Sequence, residues 1–281
     1  MKPLLGNHDF DRQGPLSALS PRPGVISQPP LEPLKVLPWD SNHFGVRVAQ
    51  VTCPDLSDAA LGAVLEKARR EGIRLAYWTT HADRELPEPI LRELSGRLVD
   101  RKVTFRTELI ANGHTARAPG PLKILAYPKG PPSAALLALG VSAGEYSRYK
   151  LDPHVPVEKF KSLYEIWVKR STLGELADVV LIGSLTGDIH FPAGMITVAV
   201  QGTVGVIGLI AVHETARGQG VGPSLVREAQ RWMTARGLSS STVVTQLANR
   251  PACKLYERCG YRVQDIKNVY HFWLMSEGHS T

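Results

Sequence analysis

The sequence predicts an α/β (α+β) protein, and three observations carry that prediction. Apolar runs of strand length, such as RLAYWTTH, AGMITVAV and TVGVIGLIAVH, are rich in Val, Ile, Thr and aromatic residues. Other segments, LSDAALGAVLEKARREG and SLVREAQRWMTARG among them, space their apolar residues for one face of a helix. The two kinds of segment interleave along the chain instead of clustering, which is the pattern of a layered sheet-and-helix domain.

Taken in order, residues 1–34 are rich in Pro, Gly and Ser and lack periodicity, so they read as a flexible arm. Residues 35–132 read as a small α/β unit and a linker. VLPWDSNHFGVRVAQVTC suggests a turn and a strand, followed by a helix ending at Gly72, the strand RLAYWTTH, the short helix EPILRELS and the strand DRKVTFRTELIA. The Gly- and Pro-rich stretch NGHTARAPGPLKILAYPKGPP closes this unit, with one strand at LKILAY. Residues 133–281 form the larger unit. Its helix VPVEKFKSLYEIWVKR places Val157, Phe160, Leu163, Tyr164 and Trp167 on one face, and strands follow at DVVLIG, AGMITVAV and TVGVIGLIAVH. The next helix buries Leu225, Val226, Ala229, Trp232 and Met233; then come the strand STVVTQLA, a helix ending at Gly260, and a last strand, NVYHFWLM.

The chain has 281 residues and a net charge of +7. That charge favours anionic partners. No basic stripe with interleaved aromatics and no helix-turn-helix signature accompanies it, so no nucleic-acid partner is expected. Cys53, Cys253 and Cys259 lack CxxC spacing, which argues against a disulfide framework or a metal site and fits a cytoplasmic protein. Gly194 to Val212 carries no charge, but Gln-Gly-Thr in its middle is a turn signal, so a hairpin explains it better than a membrane span.

HETARGQGVG, residues 213–222, stands between an apolar strand and an amphipathic helix. Open N–H groups at a helix start attract anions, and a loop without Cβ atoms lets a phosphate approach them. Arg217, Gly218, Gln219, Gly220, Val221 and Gly222 meet these needs, and Pro223 loses nothing at a first helical turn. The loop lacks the Gly-Lys-Ser/Thr of a Walker A motif, and its GxGxG spacing is not the dinucleotide GxGxxG. A tight turn without ligand is the alternative.

The spacing Arg217-x-x-Gly220-x-Gly222 resembles the acyl-CoA loop of the GCN5-related N-acetyltransferases (GNAT). VVTQLANRPACKLYERCGYRV resembles the second half of that family's cofactor site, with Asn249 at a strand end and Tyr256 on the next helix. PWDSNHFG, GEYSRYKLDP and VTQLANRPACKLYERCG resemble more narrowly the dTDP-fucosamine acetyltransferase group, although the long Pro-rich arm departs from it. The resemblance implies a GNAT fold with a central mixed sheet, preceded by an incomplete α/β domain. It implies acetyl-CoA as cosubstrate, no metal, and acetyl transfer to the amino group of a dTDP-linked sugar; a protein, peptide or other small amine is the alternative acceptor.

By the same resemblance the acyl carbonyl meets a main-chain N–H around Ile210, on the strand ending at Val212. Tyr256 is the candidate acid; its position at helical spacing with Ala252, Leu255 and Cys259 also suits a core residue. Proton transfer from a phenol of pKa about 10 to a thiolate of about 8.5 is uphill by about 2 kcal/mol, so Tyr256 is expected to hydrogen-bond the departing sulfur. No base is evident: His213, Asp188 and His190 are weak candidates, and an amine of pKa near 8 is about one-tenth neutral at pH 7 without help. Arg148 suits a phosphate, and Tyr146 or Tyr149 a thymine or sugar face; a structural ion pair is the alternative for Arg148. Trp39 and Phe44 read as packing anchors. Arg227, Arg231 and Arg236 read as a solvated polar face; contact of one of them with the CoA 3′-phosphate is the alternative. A homodimer paired through NVYHFWL completes the expectations.

Overall fold

The computed structural model describes residues 32–109 and 121–274. The arm expected over 1–34 and part of the linker therefore lie mostly outside the described residues. Ten strands are present among the described residues: β1 (Leu34–Val36), β2 (Val48–Val51), β3 (Leu75–His81), β4 (Gly96–Glu108), β5 (Lys123–Ala126), β6 (Val179–Ser184), β7 (Gly194–Gln201), β8 (Val204–Val212), β9 (Ser240–Gln246) and β10 (Arg262–Trp273). They form one mixed sheet in the order β1-β2-β3-β10-β4-β9-β8-β7-β6-β5.

Among the described residues eight α-helices cover it: α1 (Pro38–Phe44), α2 (Asp58–Arg70), α3 (Glu88–Glu93), α4 (Ala134–Ala143), α5 (Arg148–Leu151), α6 (Val157–Thr172), α7 (Val221–Thr234) and α8 (Arg250–Arg258). Strand alternation sorts them into two layers. Leu75 and Tyr77 of β3 pack with Phe44, Leu136, Tyr149 and Phe160, so α1, α4, α5 and α6 share one face. Ala76 and Trp78 pack with Leu61, Leu65 and Leu91, which puts α2 and α3 on the other. Ile196 alternates with Met195, and its cluster holds Val221, Leu225, Val226 and Tyr256, so α7 and α8 join that second face.

Local chemistry explains most element ends. Ser57 and Ser133 accept main-chain N–H groups of Ala60 and Leu136, each at 3.2 Å, and thereby start α2 and α4. The uncharged stretch 194–212 is a hairpin, with Gln201 opposite Val204 and Gly202 at φ +61° in the turn. PWDSNHFG is a correction: it is the helix α1 and not a turn. Pro38 pre-sets its first φ, and Gly45 ends it in the left-handed region at φ +72°. Val157, expected on a buried face, is 52% exposed because it sits in the first turn of α6.

Two strands run longer than their apolar patterns suggested, and both do so through pairing. β4 lies between β10 and β9, antiparallel to both. β10 begins at Arg262 because β4 supplies partners for its polar first half. Its last half, NVYHFWL, is flanked by β3 and β4, so it has no free edge; pairing of this strand across a dimer is excluded by the register.

Candidate active site

β8 and β9 are parallel and paired from Val204–Ser240 to Ile207–Val243. Beyond that point β8 continues to Val212 and β9 to Gln246 without pairing to each other. Each is held from its far side. β9 is paired to β4 as far as Gln246–Lys102. β8 is paired to β7 through a bulge: Ile196 faces Ile210 and Val198 faces Ile207, so Gly208 and Leu209 stand against Thr197 alone. The Leu209 N–H donates to Thr197 Oγ1 at 2.8 Å. A Cβ on residue 208 would lie 2.8 Å from that same oxygen, so only Gly fits.

The gap between the strands opens a cleft of about 120 Å³. Gly208, Leu209 and Ile210 line one wall; Val244, Thr245, Gln246, Asn249, Ala252 and Tyr256 line another. Asp100 and Lys102 of β4, with Ser147, Arg148, Tyr149, Tyr164 and Trp167 from the helical layer, complete it.

Ile210, Asn249, Tyr256, Arg148 and Tyr149 thus meet in one place. Val212 lies outside the lining; its side chain packs beside Gly222, where a Cβ would come within 3.6 Å of it. The glycine loop follows β8 directly. Gly218 and Gly220 have φ of +78° and +77°, a conformation that disfavours a side chain, although a Cβ on residue 218 would meet nothing. Gly220 is the N-cap of the 14-residue α7 and provides no side-chain cap, leaving the first amides, Val221 and Gly222, open to an anion. Arg217 Nε reaches back to the Val212 carbonyl at 3.4 Å, and Gln219 Nε2 donates to the Thr215 carbonyl at 2.8 Å.

Asn249 caps α8, its Oδ1 accepting from the Ala252 N–H at 3.2 Å. That cap aims the first turns of α8 at the cleft. Tyr256 is 1% exposed, with ring centroids of Phe105 and Tyr261 each 5.8 Å away. Burial, with Tyr261 and Cys259 adding to it, raises its phenol well above the ordinary range, so it remains a proton donor.

On the opposite side, the Arg148 guanidinium lies over the rings of Tyr77 (4.1 Å) and Tyr149 (4.6 Å) and donates to Tyr149 Oη at 2.5 Å. Tyr149 is stacked on Phe44 at 5.6 Å, so both faces of its ring have neighbours. Behind them Asp152, 1% exposed, accepts from His271 Nδ1 at 2.6 Å, Trp273 Nε1 at 2.8 Å and the His154 N–H at 3.0 Å. These donors hold its carboxyl well below the usual range despite burial. Burial pushes His271 down to about 4, against the pull of Asp152.

Other expected residues lie apart from the cleft. His213 is exposed and bonds Thr215 at 2.8 Å. Asp188 and His190 are exposed, the carboxylate accepting the His190 N–H at 2.8 Å in a loop turn. Tyr146 is 39% exposed and does not line the cleft. Trp39 stacks on His43 at 4.9 Å, and Phe44 is buried. Arg231 pairs with Glu228, and Arg236 covers Trp232 at 3.6 Å. Sequence reasoning missed Asp100, Lys102, Thr197 and Gln246, and placed Tyr164 and Trp167 only on a buried face. Among the described residues no group of three or more His, Cys, Asp or Glu is placed to hold a metal, and no helix is long and apolar enough to cross a membrane.

A mixed sheet whose two parallel strands part beside a glycine-opened helix defines the class of the fold. Residues 146–261 match the model of the acetyltransferase (GNAT) family. A GCN5-related N-acetyltransferase from Sphaerobacter thermophilus superposes with a TM-score of 0.55 at 15% identity, covering 86% of this chain and 76% of that one. Residues 146–261 are thus similar to the GNAT family, and the chain shares its fold with a solved member.

Among curated proteins, streptothricin acetyltransferase of Escherichia coli is 42% identical over 57 residues, 20% of this chain and 33% of that protein. dTDP-fucosamine acetyltransferase of Escherichia coli O6:H1 is 29% identical over 142 residues, 50% of this chain and 57% of that protein. The chain therefore spans between a third and just over half of these relatives.

Proposed function

We propose that the protein transfers the acetyl group of acetyl-CoA directly to the amino group of a small acceptor, and that the acceptor is a dTDP-linked amino sugar. The observation that carries the reading is the parting of β8 and β9 after Ile207–Val243, with the uncapped start of α7 at one end and Tyr256 in the wall.

The residues present fit acetyl-CoA. Amides of Val221 and Gly222, at a start cleared of side chains by Gly218 and Gly220, suit the coenzyme's diphosphate. Since the Leu209 N–H turns toward β7 and Thr197, alternation turns the Ile210 N–H toward the gap. There it would stabilise the oxyanion of the tetrahedral intermediate, an effect worth about 3 kcal/mol. The Tyr256 phenol, kept protonated by burial, would donate a hydrogen bond to the sulfur as the C–S bond breaks. The acceptor enters from the α5–α6 side, where Arg148 provides a cation beside the cleft.

The dTDP-fucosamine relative supports the sugar, and the streptothricin relative supports a different small amine. The test presents acetyl-CoA with dTDP-4-amino-4,6-dideoxygalactose, streptothricin and a peptide amine in parallel, and follows thiol release. The expected result is fastest release with the nucleotide sugar. Preference for another amine overturns the acceptor assignment, and release at the blank rate with all three overturns the reaction.

A further inference from the structure

The acetyltransferase-like segment 146–261 contains no acidic side chain in the lining of the cleft; the carboxylate found there comes from outside it, on β4. Asp100 faces Val269 across β10 while Leu98 faces Tyr270, so Val99 is an unpaired extra residue. Such a bulge re-aims the side chain beside it. Leu98 and Asp100, two apart and ordinarily on one face, are parted by it: Leu98 packs with Trp78 and Phe272, and Asp100 lines the cleft on the other side. Asp100 comes to rest in the same cleft as the main chain of Gly208–Ile210 and the Tyr256 phenol.

We propose that Asp100 is the catalytic proton acceptor of this site: its carboxylate receives the acceptor's ammonium and takes its proton before the nitrogen attacks the thioester. The inference rests on the acetyl-transfer reading above. In the balanced step, the ammonium gives one proton to Asp100 and the freed nitrogen lone pair forms the N–C bond. The C–S bond then breaks, and the second nitrogen proton passes to the sulfur, so that amide and thiol leave and Asp100 returns its proton to water.

The surroundings suit that role. Lys102 on β4 and Arg148 on α5 attract the carboxylate through space, but neither closes an ion pair with it among the described residues. It remains available to a substrate cation. Tyr164 faces it from α6, Gln246 from β9 and Tyr256 from α8, while Lys267 of β10 and the buried His271 lie beyond Lys102. Burial outweighs the two cations and lifts Asp100 to about 6. At neutral pH it is ionised, yet it is a better base than a solvated carboxylate.

The test measures kcat/KM for the amine from pH 5 to 9 in wild type, D100N and D100E. Acetyl-CoA and the fastest amine of the parallel assay are used, with acetyl-CoA affinity measured separately by calorimetry. Wild type should lose activity below an apparent pKa near 6. D100N should lose about 10²-fold at pH 7 and the acid limb with it, while binding acetyl-CoA within twofold; D100E should regain part of the rate. The assignment is overturned if D100N keeps the wild-type rate within threefold, or retains the same limb, or if the limb disappears in K102M instead. Wild type that binds acetyl-CoA but acetylates no amine overturns the underlying reaction, an outcome distinct from these.

Discussion

Tyr256 shows how one side chain serves packing and chemistry together. Its ring fills space against Phe105 and Tyr261, while its place in the cleft wall is the one the proposed reaction uses. Tyr256→Phe separates the two: kcat should fall about 10²-fold as the donor to sulfur is lost. The melting temperature should move by less than about 3 °C, because the ring remains. A second residue, His271, reports on the buried network. Its folded pKa, about 4, lies below the unfolded value of about 6.5. The native state therefore binds fewer protons in that window, and the stabilisation, complete above pH 6.5, is lost as pH falls toward 4. Asp100, raised to about 6, has the opposite sign, so the contribution is read by difference. The melting-temperature advantage of wild type over His271→Asn should shrink steadily from pH 6.5 to 4.

At the scale of the element, β8 carries the geometry. Its bulge exists because Gly208 leaves room for the Thr197 hydroxyl, which takes the Leu209 N–H and so leaves the next amide aimed at β9. Gly208→Ala forces a Cβ to 2.8 Å from that oxygen. The expected cost is about 1–3 kcal/mol in thermal or denaturant unfolding. A fall of at least about tenfold in kcat should accompany it, since an oxyanion donor displaced from its position loses most of its effect. The hairpin, the glycine loop and α7 were legible in the sequence because each rests on local chemistry: a Gly turn, positive φ, helical spacing. The bulge was not, for it depends on which residue of β7 stands opposite.

The whole molecule is tied together by β4. This strand comes from the first half of the chain and lies between β9 and β10, burying Val103 and Phe105 in the same cluster as Ile207, Val243 and Tyr256. Residues 133–281 produced alone should therefore lack a cooperative thermal transition and expose apolar surface to a hydrophobic dye. A fragment that unfolds cooperatively with native-like near-ultraviolet dichroism would show that β4 is dispensable.

Asp100 and Lys102 were missed for the same reason. In DRKVTFRTELIA they look like the polar start of a strand, and nothing within that stretch says what will lie beside it. Arg148, Tyr149, Asn249 and Tyr256 were found because their motifs survive as contiguous text. Periodicity and glycine placement alone determined the class of fold, the order of most strands and helices, and the opened start of α7, since those follow from interactions between residues near in sequence. Tertiary structure alone decided where β4 and β10 pair, which carboxylate reaches the cleft and which strand edges stay free, because register across a sheet is set by partners more than a hundred residues apart, as with Asp100 and Val269.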